Sequence, residues 1–155
     1  MSALDVSVQA SVLNLLDDLQ AHSDSALLLI SHDLAVVGYL ADVVAVIYAG
    51  RLMQVSSAAA LLEPPYHPYT EALLSAAPSI DPDAAVAAVR LAEDVRNPPE
   101  VSAGCPFYAR CPRQVGAICA TRTPPWQTGE PGTRIYCHIP LDELRRAQAR
   151  SSRVG

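Results

Sequence analysis

Apolar residues recur at Val8, Val12, Leu15, Leu16 and Leu19 with polar residues between them. This is the i, i+4, i+7 spacing that predicts an amphipathic helix of about four turns. The next apolar stretch, Ser25 to Ile30 ("SALLLI"), is a short continuous run, the pattern of a strand buried on both faces of a parallel sheet. "SHD" ends it, and Leu34 to Ala41 predicts a short helix. Two further strand-like runs, Val43 to Tyr48 and Arg51 to Val55, are split by Ala49-Gly50, which suits a hairpin turn. The predicted order is helix, strand, helix, strand, strand.

Proline changes the pattern after this point. All 13 prolines lie between Pro64 and Pro140, so the chain reads as two regions with a boundary in the sixties to nineties. Within "EPPYHPYTEALL", prolines hold the approach extended, and Pro68 stands in the first turn of a helix running to about Ala76. Tyr66, His67 and Tyr69 read as packing and capping residues. "DPDAAVAAVRLAEDV" predicts a short helix followed by an extended connector, and the basic tail carrying Arg145, Arg146, Arg150 and Arg153 reads as a solvated helix end.

Length and charge bound the function. The 155 residues allow one ordinary domain, or a compact domain with a small appendage. A hydrophobic content of 50% argues against disorder, and a net charge of −5 leaves no basic footprint for nucleic acid. The N-terminus lacks the pattern of a secretory signal, and no apolar run approaches the roughly 20 residues that a bilayer requires. The chain reads as cytosolic.

Two groups of residues carry candidate chemistry. In open α/β sheets, ligands bind beyond the carboxyl ends of the strands, which is where "SHD" places His32. The plainer reading is that His32 starts the next helix, with Asp33 or Ser31 as its N-cap. The second group is Cys105, Cys111, Cys119 and Cys137, spaced C-x5-C-x7-C-x17-C. In a reducing compartment clustered thiols point to a metal or cluster more than to disulfides. No C-x-x-C pair is present, against the usual zinc ribbon. Prolines follow Cys105 and Cys111, and Arg110, Arg113, Arg122 and Arg134 outnumber Glu100 and Glu130 between Asn97 and Ile139, a balance that favours a negatively charged thiolate complex. Phe107 and Trp126 are the expected small core, and His138 reads as a neighbour of the site.

"SALD" opening a helix, then "LLLISHDLAVV" and "DVVAVIYAGRLMQ", resembles the C-terminal part of an ABC-transporter nucleotide-binding domain. "LLEPPYHPYTEALLSAAPS" and the cysteine segment narrow the resemblance to the ATP-binding subunits of oligopeptide/dipeptide importers, over Ser2 to about Pro140. The resemblance implies an α/β fold: the C-terminal remnant of a P-loop-type parallel sheet with helices, plus a small Cys-rich lobe. It divides the chain into 1–78 (nucleotide-binding domain), 79–140 (Cys-rich extension) and 141–155 (basic tail). Ser2, Ala3, Leu4 and Asp5 match the D-loop at the dimer interface, and His32 matches the histidine that reaches the γ-phosphate. The four cysteines match a segment that in some such subunits holds a [4Fe-4S] cluster, with zinc, unmetallated thiols or disulfides as the other readings.

The same resemblance implies ATP with Mg in the complete subunit, a second nucleotide-binding subunit and membrane permease subunits as partners, and a cytoplasmic place at the inner face of the membrane. No G-x-x-x-x-G-K-[ST], signature motif or Walker B strand occurs, so the chain alone is not expected to hydrolyse ATP. Met1 directly before "SALD" suggests a truncated product, a split subunit or a misassigned start. The alternative function is a stand-alone, non-enzymatic iron-sulfur or zinc module, or a decayed gene product.

Overall fold

The computed structural model describes residues 6–23, 25–76, 103–129 and 132–151. They fall into two compact units, 1–42 and 43–155.

The first unit holds α1 (Val6–His22) and α2 (Leu34–Leu40). The apolar stripe predicted for α1 is present, and Val8, Val12, Leu15 and Leu19 on it are exposed. Ser23 closes the helix by donating its hydroxyl to the Leu19 carbonyl at 2.6 Å. The start of α2 is fixed chemically: Asp33 Oδ1 accepts from the backbone N–H groups of Ala35 (2.9 Å) and Val36 (3.3 Å). Within this unit the Tyr39 hydroxyl donates to Asn14 Oδ1 at 3.4 Å.

The parallel strand expected at Ser25–Ile30 is absent. That run forms no ladder, and Leu28 and Ile30 are 88% and 91% exposed. An apolar run states a demand for burial, and a strand needs a neighbouring backbone to pair with. No described residue supplies one.

The second unit is built on an antiparallel sheet of β1 (Val43–Tyr48), β2 (Arg51–Ser57), β3 (Trp126–Thr128) and β4 (Arg134–Tyr136), in the order β1-β2-β4-β3. The β1–β2 hairpin falls where the sequence placed it. Ala49 and Gly50 take positive φ values of 47° and 74°, the twist that suits a tight two-residue connection. Val44, Val46 and Tyr48 alternate inward, which gives the strand one buried face. The expected parallel sheet is thus replaced, among the described residues, by an antiparallel one. Gln54 on β2 pairs with Ile135 on β4, so the strand before Cys137 shares a sheet with the hairpin.

Helices cover this sheet. α3 (Ala58–Leu61) follows β2 directly, with Ser57 Oγ accepting from the Ala60 N–H at 3.1 Å. The Pro64–Pro65 bond is cis, and α4 (Pro68–Ala76) begins at the predicted proline. After a 3₁₀ turn at Tyr108–Arg110 come α5 (Ile118–Thr121) and α6 (Leu141–Ser151), the latter matching the predicted tail helix. The helix expected at 81–95 lies outside the described residues.

Phe107 is fully buried with Tyr48, Met53, Cys105 and Tyr136, and its ring meets Tyr48 edge-on at 5.1 Å. Such aromatic pairs add about 0.5–1.5 kcal/mol to the burial itself. Trp126, the other expected core residue, is instead 38% exposed, lying 5.3 Å from the Tyr136 ring with the Arg134 guanidinium 5.2 Å from its own centroid.

Candidate functional site

All four cysteines are free thiols and border one small cavity, together with His67, Tyr108, Arg113 and His138. The Cys105 loop and α5, which carries Cys119, are tied to each other by backbone. Gly104 passes so close to α5 that a side chain there would lie 2.6 Å from the Cys119 carbonyl oxygen, and the Cys105 N–H donates to that same oxygen at 2.8 Å. Only glycine allows this approach. The fourth thiol is set by Gln127 on β3, whose Nε2 donates to the carbonyls of Cys137 (2.8 Å) and Ile139 (2.7 Å).

Burial and hydrogen bonding act in opposite directions on these thiols. Burial pushes Cys105 up to about 11, although the N–H groups of Phe107 and Tyr108 point at its sulfur and favour the thiolate. Burial also pushes Cys111 up to about 12 against the N–H of Arg113, and raises Cys137 against the N–H groups of Ile139 and His138. In each case a donor comes from the residue two positions on. Such amides stabilise thiolate charge once a cation offsets the desolvation. Sequence spacing alone did not reveal these donors.

No group of three or more His, Cys, Asp or Glu side chains among the described residues is arranged to hold a metal ion. The thiols surround a common space and do not converge on one point. His138 stays a neighbour, with Nε2 3.0 Å from the Arg122 carbonyl. His67 is 1% exposed and serves the fold: its Nδ1 accepts from the Tyr69 N–H at 3.0 Å, its other nitrogen bonds the Tyr136 carbonyl, and burial lowers its pKa to about 3.

A polar network behind the cavity has no sequence signature. Arg113 donates through Nε (2.7 Å) and Nη2 (2.6 Å) to the two carboxylate oxygens of Glu71 on α4. Gln148 on α6 donates to Glu71 Oε2 at 3.0 Å, and exchanges two bonds with the Tyr66 backbone, at 2.8 and 3.0 Å. Gln54 on β2 accepts the His67 N–H at 2.8 Å. The segment before α4 is thereby held to the sheet, to the last helix and, through Glu71, to the cysteine loop.

His32 lies in the first unit, exposed, between two local turns. Ser31 Oγ accepts from the Asp33 N–H at 3.0 Å, and Asp33 caps α2. The capping role therefore falls to Asp33, and His32 faces solvent. Ser2, Ala3, Leu4 and Asp5 lie outside the described residues.

The sequence is similar to those of known proteins. A protein of Brucella ovis named "Putative peptide import ATP-binding protein" is 50% identical over 137 residues, which cover 88% of this chain and 43% of that protein. The di/tripeptide transport ATP-binding protein DppF of Pseudomonas aeruginosa is 50% identical over 111 residues, covering 72% of this chain and 34% of the relative. Residues 54–119, from the β2 glutamine through the third cysteine, match the family model described as oligopeptide/dipeptide transporter, C-terminal region. The chain corresponds to the C-terminal part of oligopeptide/dipeptide ABC-transporter ATP-binding subunits. It spans about 43% of the length of the first curated relatives it matches. The matched stretch of this chain contains Gln54, His67, Glu71 and Arg113 of the network, without Gln148, and three of the four thiols, Cys105, Cys111 and Cys119. None of its described helices is long and apolar enough to cross a membrane.

Proposed function

We propose that this chain is part of an ATP-binding subunit that drives uptake of di- or oligopeptides, with ATP and Mg bound by the complete subunit. Its partners are then a second nucleotide-binding subunit and membrane permease subunits, and its place is cytoplasmic, peripheral at the inner face of the membrane. The observation that carries this reading is the combination of the 54–119 family match with a solvent-facing His32 on a capped turn. An imidazole so placed can donate one N–H to a γ-phosphate oxygen as charge develops in the transition state. Ser2 to Asp5 form the D-loop at the dimer interface, and Ser25–Ile30 pairs as a strand in the complete sheet. The division into 1–78, 79–140 and 141–155 follows from the same reading.

The four-thiol site is proposed to hold a [4Fe-4S] cluster through Cys105, Cys111, Cys119 and Cys137. The support is chemical: four unpaired thiols border one cavity, amide donors are aimed at three of the sulfurs, and Arg113 stands at the wall. A single zinc ion held by the same thiolates is the alternative occupant. When bound, a cluster supplies structural cross-linking and the capacity to take up one electron.

A chimera tests the ATPase reading. Joining this chain to the preceding portion of the Brucella ovis relative is expected to restore ATP hydrolysis, and His32→Ala in that chimera should lower kcat by about 10²-fold, the usual loss on removing one transition-state donor. A chimera whose rate is unaffected by His32→Ala contradicts the role given to this residue.

A further inference from the structure

We infer that a second cavity, lined by Ser57, Glu63, Pro64, Pro65, Thr133 and Arg145, binds a small zwitterion, a molecule with one free ammonium and one free carboxylate, as amino acids and short peptides have. It shares no lining residue with the thiol cavity and rests on neither the ATPase nor the cluster reading.

The cavity measures about 490 Å³, inside the range of about 300–1,000 Å³ typical of small-molecule sites. Two of its walls are tied together. Gln148 on α6 accepts from the Tyr66 N–H at 2.8 Å and donates to the Tyr66 carbonyl at 3.0 Å, which holds the segment after Pro64 and Pro65 to the helix that carries Arg145. Ser57 accepts the Ala60 N–H to cap α3 and keeps its own proton to donate. The backbone of Thr133 is set by the Gly129 N–H, which donates to its carbonyl at 2.7 Å.

Three side chains in this lining point to a ligand. Thr133 is only 3% exposed, and its hydroxyl has no hydrogen-bond partner among the described residues. A buried hydroxyl without a partner is costly, and one that borders a cavity recovers the bond from whatever enters. Glu63 and Arg145 are charges of opposite sign on the same cavity, and neither makes an ion pair or hydrogen bond with a described residue. Arg113 and Arg146, by contrast, are both matched to carboxylates. Pro64 and Pro65 have no backbone N–H, so their wall offers an anion no donor. Charge complementarity then sets the class of ligand. The Arg145 guanidinium takes a carboxylate, the Glu63 carboxylate takes an ammonium, and the Ser57 and Thr133 hydroxyls serve the polar atoms between them. A polyanion would meet Glu63 with like charge.

The test is a nuclear magnetic resonance titration of the full chain with L-alanyl-L-alanine, its N-acetyl form, its C-terminal amide and L-alanine. The free dipeptide is expected to bind saturably and to shift the amide signals of Thr133 and Arg145. Each capped form should bind about fivefold more weakly, the scale of one exposed ion pair. Tighter binding of the dipeptide than of alanine assigns the site to short peptides, and the reverse assigns it to amino acids. Glu63→Gln should weaken the free dipeptide about fivefold and abolish the difference between it and the N-acetyl form. Arg145→Gln should do the same with respect to the C-terminal amide. Absence of saturable binding by both zwitterions overturns the inference, as do capped forms that bind as tightly as the free dipeptide, or variants that keep the parent's discrimination. The capped ligands on the parent decide the matter without any variant.

Discussion

Replacing Glu71 with alanine is expected to lower the stability of the chain by about 3 kcal/mol, visible as a fall of more than about 10 °C in the thermal midpoint followed by circular dichroism. The size follows from what the carboxylate leaves behind. Glu71 is 7% exposed and accepts two bonds from Arg113 and one from Gln148. Without it, a guanidinium that is only 22% exposed stands beside the cavity without its carboxylate, and the Gln148 amide loses one of its acceptors. Breaking one side of a buried charge pair costs more than the pair contributes, because the remaining charge stays desolvated. Glu71→Gln should lose less, since the amide oxygen still accepts one bond. A midpoint unchanged in Glu71→Ala would mean that the network is peripheral to folding.

Acid should destabilise the chain through His67, with a slope of about 1.4 kcal/mol per pH unit. Burial holds the folded-state pKa of His67 near 3, against 6.5 for an ordinary histidine. Above pH 6.5 the ring is neutral in both states and titration has no effect. Below it the unfolded chain takes up a proton that the folded chain refuses, so stability falls steadily until the pH reaches the folded-state pKa of about 3. The stretch between pH 6.5 and 5 is the informative one, because ordinary carboxylates titrate lower. His67→Asn retains an oxygen to accept the Tyr69 N–H and has no titrating ring, so its denaturation midpoint should be flat over that stretch while the parent's declines. Parallel profiles for the two proteins would show that His67 is not the group responsible.

Local chemistry made much of the fold legible in the sequence. Helix α1 was written in a stripe of five apolar residues, α2 in the cap at Asp33, the hairpin in Ala49-Gly50 and α4 in Pro68. The strand expected at Ser25–Ile30 forms no ladder among the described residues, because hydrophobicity reports a need for cover and contains nothing about which backbone provides it. Strands β3 and β4, at three residues each, are too short for any alternation to register, so the pairing of Gln54 with Ile135 could not be anticipated. Trp126, expected in the small core with Phe107, sits on the outer strand beside Arg134 and stays partly exposed.

The site was legible in part, for a related reason. Cysteines announce their chemistry by type and spacing, and the prolines after Cys105 and Cys111 hinted at open loops. The groups packed around the site did not. Glu71 and Arg113 are 42 residues apart, and Glu71 and Gln148 are 77 apart. A glutamate in the first turn of a helix and a glutamine in a polar tail are ordinary residues until the chain folds them onto one another. Amide donors to sulfur carry no side-chain signal at all.

The most direct measurement is iron, sulfide and zinc analysis of the anaerobically purified chain, with an ultraviolet-visible spectrum taken before and after reduction. The expected result is about four irons and about four sulfides per chain, with a broad band near ~400 nm that bleaches on reduction. Serine at any one of Cys105, Cys111, Cys119 or Cys137 should lower both contents together. Zinc near one per chain, or thiols without metal, would contradict the cluster and leave the cysteine cavity as part of the hydrophobic core.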